Sequence, residues 1–370
     1  MDNLRVLEIA VQTGIPTIVW GRPGVGKTFY FNDLIKSLGW HMETLVASTR
    51  EPVDFSGLPV RIGDNGSTEI RLAPIGLWVK NIMEACAKKQ RCVVFLDEFT
   101  TAPPATQAAT LKMIHEGLMG ETKFDLNLVS FLAAANPADC AANGWELSPP
   151  MANRFFHFHW KVDTQAWIMG MLAGWPQKKI TPLDQNWRSH IPSARSKVAA
   201  FINVRPQQLH NMPESESERG KAWPSPRTWD MFATLRAAAL SENGSKDIVI
   251  GLAAGCLGES LAIEYASWED ALDLPDPEEL LKNPEKTKIP KRGDQIFAML
   301  GAVVSAVLSN NTKERWCSAW DVLAVVNNAG APDIAATAAN SLAMNMPVGV
   351  KPPPSCAVFG SILRSVGKIG

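Results

Sequence analysis

The pattern of apolar and polar positions changes near Asp163. Before it, short apolar runs alternate with segments whose apolar residues recur at helical spacing. Leu4, Leu7 and Val11 place one apolar face on a helix over Met1 to Thr13. Thr17-Ile18-Val19-Trp20 is a β-branched run and predicts a strand. Phe31, Leu34, Ile35 and Leu38 follow at helical spacing, and Gly39 stops that helix. Thr44 to Ala47 predicts a second short strand, and Ser48 to Ala73 has no clear period. Within that stretch, Val60-Arg61-Ile62 and Glu69-Ile70-Arg71 flank Asn65-Gly66, the signal of a tight hairpin. Ile75, Trp78, Val79, Ile82, Met83 and Cys86 predict an amphipathic helix.

Cys92-Val93-Val94-Phe95-Leu96 has no polar face, as in a strand covered on both sides. Pro103-Pro104 opens a helix carrying Leu111, Ile114 and Leu118, and Gly120 to Asn127 suits a small hairpin. Leu128 to Ala135 and Phe155 to Trp160 predict two further strands. Strands alternating with helices imply an α/β fold with a parallel sheet. Ligands in such sheets sit beyond the strand carboxyl ends.

Beyond Asp163 the patterning predicts helices and no strand. Glu214 to Glu218 reads as a solvated loop, Thr228 to Leu240 as an alanine-rich helix and Ile248 to Ala266 as another. Asp273 to Gly293, rich in proline and charge, reads as a linker. Asp294 to Ser309 and Trp316 to Met346 read as helical, and Val348 to Pro354 as a break.

Composition narrows the class. A chain of 370 residues with 46% hydrophobic content is globular and long enough for two or three domains. A formal net charge of -1 gives no electrostatic footprint for nucleic acid. The six cysteines form no C-x-x-C pair, which favours reduced thiols in a cytoplasm over disulfides or a zinc site. Met1 to Gly14 carries acids and no apolar core, unlike a signal peptide, and the run Ile296 to Leu308 is too short to span a bilayer.

The chemistry centres on Gly21-Arg22-Pro23-Gly24-Val25-Gly26-Lys27-Thr28, which fits the phosphate-cradling P-loop pattern between a strand and a helix. Glycines let backbone N–H groups turn inward around a phosphate, and the helix start adds partial positive charge. Lys27 would reach the terminal phosphates and the Thr28 hydroxyl would hold magnesium. The bland alternative is a glycine turn that cradles nothing. The dinucleotide fingerprint fails, because Phe29 stands where its last glycine belongs. Asp97-Glu98 ends the fully apolar strand, a Walker B arrangement. Asp97 would hold magnesium and Glu98 would polarise the attacking water. The bland alternative is a surface acid pair. Asn136, ending the neighbouring strand, could orient that water, although Asn136-Pro137 also suits an ordinary turn. His157 and His159 alternate on one strand and could share a metal or simply be exposed. Phe55 could face a pore or pack on its own hairpin.

These motifs, with Ala102-Pro103-Pro104, Thr106-Gln107-Ala108, Ala134-Ala135-Asn136-Pro137, Asn153-Arg154-Phe155 and Ser225-Pro226-Arg227, occur in an order that resembles the MoxR-type AAA+ ATPases. The likeness covers residues 1 to 240. It implies a P-loop AAA+ core with a parallel five-stranded sheet and a helical lid. Taken with the patterning, the chain divides into a core over 1–163, an all-helical lid over 164–290 and a helical C-terminal extension over 291–370. It implies ATP and Mg²⁺ as cofactors, with residues Gly21 to Phe29 at the nucleotide. It implies Asn136 as first sensor, Arg154 as arginine finger and Arg227 as a lid sensor touching the terminal phosphate. Asn153 stands where many relatives carry an acid, and Arg188 and Arg195 are the other candidate fingers. The resemblance further implies a homo-oligomeric ring, usually of six subunits. A partner with a von Willebrand factor A domain and chaperone-like remodelling or metal-loading of a client complete what it implies. A DNA-directed motor and a nucleotide-dependent scaffold are the competing readings.

Overall fold

The computed structural model describes residues 2–62, 69–137, 140, 144–175, 180–242 and 244–365. In chain order the elements are α1 (Asp2–Thr13), β1 (Thr17–Trp20), α2 (Lys27–Ser37), β2 (His41–Val46), α3 (Val53–Ser56), β3 (Leu58–Ile62), β4 (Glu69–Ala73), α4 (Leu77–Ala87), β5 (Cys92–Asp97), α5 (Pro104–Glu116), β6 (Leu118–Met119), β7 (Thr122–Lys123), β8 (Val129–Ala135), α6 (Pro149–Ala152), β9 (Phe156–His159) and α7 (Thr164–Ala173). Then come α8 (Ile191–Val204), α9 (Glu216–Arg219), α10 (Pro226–Ser241), α11 (Lys246–Leu257), α12 (Glu259–Asp270), α13 (Pro277–Lys282), α14 (Gly293–Ser309), α15 (Lys313–Asn328), α16 (Pro332–Met344) and α17 (Gly360–Ser365).

The chain forms two compact units. The first holds Met1–Leu183, Asn211–Phe232 and Ile250–Leu261, and the second holds Asp184–His210, Ala233–Val249 and Ala262–Gly370.

In the first unit, five parallel strands are ordered β2-β5-β8-β1-β9. This is the α/β fold that the alternating pattern predicts. β8 is buried at every position and β5 at all but its last, Asp97, so both central strands read as unbroken apolar runs. β2 lies at the edge and tolerates polar His41 and Glu43. The strand therefore begins at His41, earlier than its apolar stretch suggests. Helix α4 buries Trp78, Val79, Ile82 and Ala85, while Met83 is exposed. The buried face is thus the expected one apart from Met83, with Cys86 packed against the core, and Trp78 packs on Phe124. Phe55 lies in α3 and is buried in the core, which removes it as a pore-facing residue. β3 and β4 pair antiparallel with Leu58 opposite Ala73 and Ile62 opposite Glu69. The expected Asn65-Gly66 turn lies outside the described residues.

The expectations for the later chain need correction at several points. Glu216–Arg219 is a helical turn within the stretch read as a loop. The helix expected over 248–266 is broken at Gly258, whose φ of 91° no continuous helix accommodates. The stretch 316–346 is likewise two helices, parted at Gly330 with φ 96°. The stretch read as a linker contains α13, which buries Leu280 and Leu281 in the core of the second unit. Charge and proline disguise this short apolar pair. That core centres on Trp316 and Trp320, packed edge to face at 5.5 Å, and Trp316 Nε1 donates to the carbonyl of Leu342 at 2.9 Å. No strand occurs beyond β9 among the described residues.

Candidate nucleotide site

The parallel sheet sends the carboxyl ends of β1, β5 and β8 to one edge, and the loop after β1 begins there. Gly21 N–H donates to the carbonyl of Ala135 at 3.1 Å, tying the loop to the end of β8. Gly24 and Gly26 have φ of 77° and 89°, and a Cβ at either would meet nothing within 4 Å. The glycines are therefore demanded by the left-handed backbone, not by crowding. Gly26 caps α2, whose first N–H groups face outward from the helix start.

Lys27 is buried at the centre of this turn. Its Nζ donates to the carbonyl of Gly21, to that of Arg22 at 3.1 Å and to Asn136 Oδ1 at 3.1 Å. Burial pulls the Lys27 pKa below its ordinary value, and the Asp97 charge opposes that. The Thr28 hydroxyl donates to Asp97 Oδ2 at 2.8 Å. One carboxylate and one hydroxyl in contact make a hard-oxygen donor pair that suits magnesium held partly by phosphate oxygens. No group of three or more His, Cys, Asp or Glu residues fit for a metal occurs among the described residues. Arg22, Pro23 and Gly24 are exposed along the loop, Val25 is half-buried, and Phe29 is exposed just beyond it.

Glu98 follows Asp97 with φ 54°, an uncommon conformation for a residue with a Cβ. Ser48 Oγ donates to Glu98 Oε2 at 2.7 Å, and Glu98 N–H donates to Asp97 Oδ1 at 2.9 Å. The backbone of Asn136 is held by Thr100: Asn136 N–H donates to Thr100 Oγ1, and Thr100 Oγ1 lies 3.2 Å from the Asn136 carbonyl. Ser48 and Thr100 carry no motif of their own. Their one signal in the sequence is position: hydroxyl residues just past β2 and β5, whose ends are level, with Val46 opposite Asp97.

The two site arginines lie elsewhere. Asn153 is buried; its Nδ2 donates to the carbonyl of Trp223 at 3.3 Å, and its Oδ1 accepts from Ser225 Oγ at 2.8 Å. Ser225 and Thr228 cap α10 reciprocally, Ser225 N–H to Thr228 Oγ1 at 2.8 Å and Thr228 N–H to Ser225 Oγ at 3.2 Å. Arg154 and Arg227 thereby line one cavity of ≈ 210 Å³ together with Pro16, Ile114, Val129 and Met231. Arg154 Nη1 donates to the carbonyl of Pro150 at 2.6 Å, while its Nε is buried without a hydrogen-bond partner. Burial, then repulsion from Arg227, lowers the Arg154 pKa from its ordinary value. Pro16 precedes β1 and Val129 opens β8, so this cavity sits at the amino ends of the strands. The seven residues of β8 put roughly 20 Å between it and the phosphate loop. The structure brings Lys27, Thr28, Asp97, Glu98 and Asn136 together, and brings Arg227 to Arg154 instead of to Lys27.

Other candidates resolve simply. His157 is buried; Trp20 Nε1 donates to its Nδ1 at 3.0 Å, and its Nε2 donates to the carbonyl of Ala152 at 2.9 Å. Both ring nitrogens are thus engaged, which withdraws His157 from metal binding, and His159 is exposed. Burial pushes the His157 pKa down to about 4. Arg188 and Arg195 belong to the second unit, and Arg188 stacks on Trp187 at 4.6 Å. No helix among the described residues is long and apolar enough to cross a membrane.

No curated protein matches the chain. Among solved structures, it aligns with a suspected ATPase from Cytophaga hutchinsonii at 16% identity and a TM-score of 0.37, covering 78% of this chain and 89% of that one. It also aligns with a proline-to-glycine mutant of RuvB from Thermotoga maritima at 11% identity and a TM-score of 0.27, covering 76% and 74%. Residues 16–155, which contain the phosphate loop, Asp97-Glu98, Asn136 and Arg154, match the family described as AAA domain (dynein-related subfamily).

Proposed function

We propose that the protein is an ATP-hydrolysing AAA+ ring ATPase of the MoxR type. The observation that carries this reading is the convergence of Lys27 on Asn136 and of Thr28 on Asp97 at one sheet edge. Backbone N–H groups of the loop and the Lys27 ammonium bind the β- and γ-phosphates of ATP. Thr28 and Asp97 hold the magnesium ion, which supplies charge neutralisation for the leaving oxygens. Glu98, steadied by Ser48, polarises the attacking water, and Asn136 orients it against the terminal phosphate.

Arg154 and Arg227 are too far from their own phosphate loop to act there. They serve the neighbouring subunit: Arg154 as the finger, with Arg227 beside it as a second contact to the terminal phosphate. One head-to-tail contact repeated around a circle closes a ring, and six subunits is the stoichiometry the resemblance favours. Helices within 164–290 form the lid and those of 291–370 an extension. The ring works in the cytoplasm on a protein client, remodelling it or loading its metal with the help of a von Willebrand factor A domain protein.

ATP turnover measured with and without DNA tests the class. Hydrolysis that DNA leaves unchanged supports a protein client, and absence of hydrolysis at ring-forming concentrations ends the ATPase reading. Capture of clients on a Glu98→Gln ring then identifies the substrate.

A further inference from the structure

Two exposed aromatic rings meet beside the phosphate loop. Phe29 and Trp175 have ring centroids 6.2 Å apart at 67°. Phe29 directly follows Thr28 in the first turn of α2 and is 62% exposed; Trp175 is 51% exposed. Large apolar rings left open side by side on a water-soluble surface mark a place where something binds.

Trp175 is built into its position. Asp163 caps the start of α7 by accepting from Ala166 N–H at 3.0 Å, and Gly174, with φ 69°, ends the helix. The indole then folds back over Gly170, where a Cβ would stand 2.5 Å from Cε3 and Cζ3 of the ring. Glycine at 170 is what lets the indole lie there. Further along, the Thr181 carbonyl accepts from Arg5 Nη1 at 2.8 Å and from Gln12 Nε2 at 3.2 Å, and Leu183 N–H donates to Gln12 Oε1 at 3.0 Å. The chain leading into Trp175 is therefore held by α7, and from Thr181 onward it is tied to α1. α1 also holds the residue next to Phe29, since Tyr30 Oη donates to Glu8 Oε1 at 3.2 Å.

We propose that Trp175, with Phe29, holds the nucleobase of the bound nucleotide, Trp175 being the stacking residue; this rests on the phosphate-binding reading of Gly21 to Thr28. A base lies one ribose beyond the α-phosphate, and the loop that receives the phosphates ends at Phe29. A purine presents a flat π surface that stacks on aromatic side chains whatever its edge carries. The open surface of Trp175 and Phe29 supplies that partner next to the loop, on a ring seated over Gly170.

Calorimetric titration of the full chain with magnesium ATP and with inorganic tripolyphosphate reads base and phosphates separately. Trp175→Ala lowers ATP affinity by about five- to a hundredfold and leaves tripolyphosphate affinity unchanged. Trp175→Phe keeps most of the ATP affinity. Gly170→Ala, whose added methyl displaces the indole, weakens ATP in the same selective way. Lys27→Ala weakens both ligands; if it weakens neither, the phosphate-loop reading falls first. Unchanged ATP affinity in Trp175→Ala overturns the assignment. So do equal losses for both ligands, which indicate a structural role. Loss of subunit association with ATP affinity intact also overturns it, because the exposed rings would then be an interface between copies of the chain.

Discussion

Asn153 accepts a hydrogen bond from Ser225 Oγ at 2.8 Å and so fastens the segment carrying Arg154 to the one carrying Arg227. These segments are far apart in the chain, and a single buried amide joins them. An acid at this position would accept from Ser225 equally well but could not donate to the Trp223 carbonyl as Asn153 Nδ2 does. The amide is thus the group that satisfies both partners. Asn153→Ala leaves Ser225 Oγ and the Trp223 carbonyl short of one partner each, which costs about 1–3 kcal/mol. Chemical denaturation should show that loss as a lower midpoint with an unchanged slope. A variant as stable as the parent would mean that water or Thr228 replaces the amide.

Lys27→Ala tests the phosphate loop. The ammonium makes charge-assisted contacts in a partly desolvated turn, so its removal should weaken ATP binding by about 2–3 kcal/mol or more. Lys27 also donates to Gly21, Arg22 and Asn136, so far-ultraviolet dichroism must accompany the calorimetry. Unchanged affinity in a folded variant removes the loop from the mechanism.

Glu98→Gln keeps the shape of the side chain and loses the carboxylate. Binding should persist while turnover falls by roughly a hundredfold or more. Ser48→Ala removes only the hydroxyl that orients Glu98 Oε2, and should lower turnover by a smaller factor, about three- to tenfold, at unchanged ATP affinity. Normal turnover in Glu98→Gln would reduce Glu98 to a surface acid.

The core of this site is legible in the chain because its signals are local. A strand, a glycine loop and a helix are consecutive, and Asp97-Glu98 ends a run of five apolar residues. The supporting hydroxyls are not legible. Ser48 meets Glu98 because β2 lies beside β5, and strand order is not encoded in any short stretch. The location of Arg227 is hidden for the same reason: its tie to Asn153 spans the chain from α6 to α10. The helix break at Gly258 leaves no clear mark, because an isolated glycine in an apolar helical pattern is tolerated. Gly330, with Pro332 two residues on, is a stop-and-start signal that the continuing apolar period overrides. Leu280 and Leu281 are masked by the charged, proline-rich residues around them.

Protonation of His157 opposes folding. Trp20 donates to its Nδ1, which needs a free lone pair, and the ring is buried. Its pKa in the folded chain is about 4, below the ordinary 6.5. Between those values the unfolded chain binds more protons, so stability rises with pH across that window and falls as pH drops from about 6.5 toward 4. The full effect is on the order of 3 kcal/mol. Denaturation midpoints of the parent should decline over this window, and those of His157→Gln should decline less. Parallel curves for the two proteins would assign the acid sensitivity to other groups.

Assembly and catalysis meet at Arg154. An arginine supplied by a neighbour can speed phosphoryl transfer by a factor of roughly 10³ to 10⁵, because it meets charge spreading over the terminal oxygens. Arg154 suits that role, since its Nε is buried and unpartnered, and burial beside Arg227 favours an incoming anion. Its cavity opens at the amino ends of the strands, away from its own Lys27. Turnover per chain should therefore rise with protein concentration as rings form. Arg154→Ala should bind ATP and hydrolyse almost none, and Arg227→Ala should show a similar but smaller defect. Mixing Arg154→Ala with Lys27→Ala should restore part of the activity. In such a ring an intact phosphate loop on one subunit can receive the finger of a neighbour that lacks only its lysine. Light scattering establishes that mixed rings form. If they form and stay inactive at every ratio, while isolated parent chains hydrolyse ATP unaided, then Arg154 and Arg227 do not act across the subunit boundary.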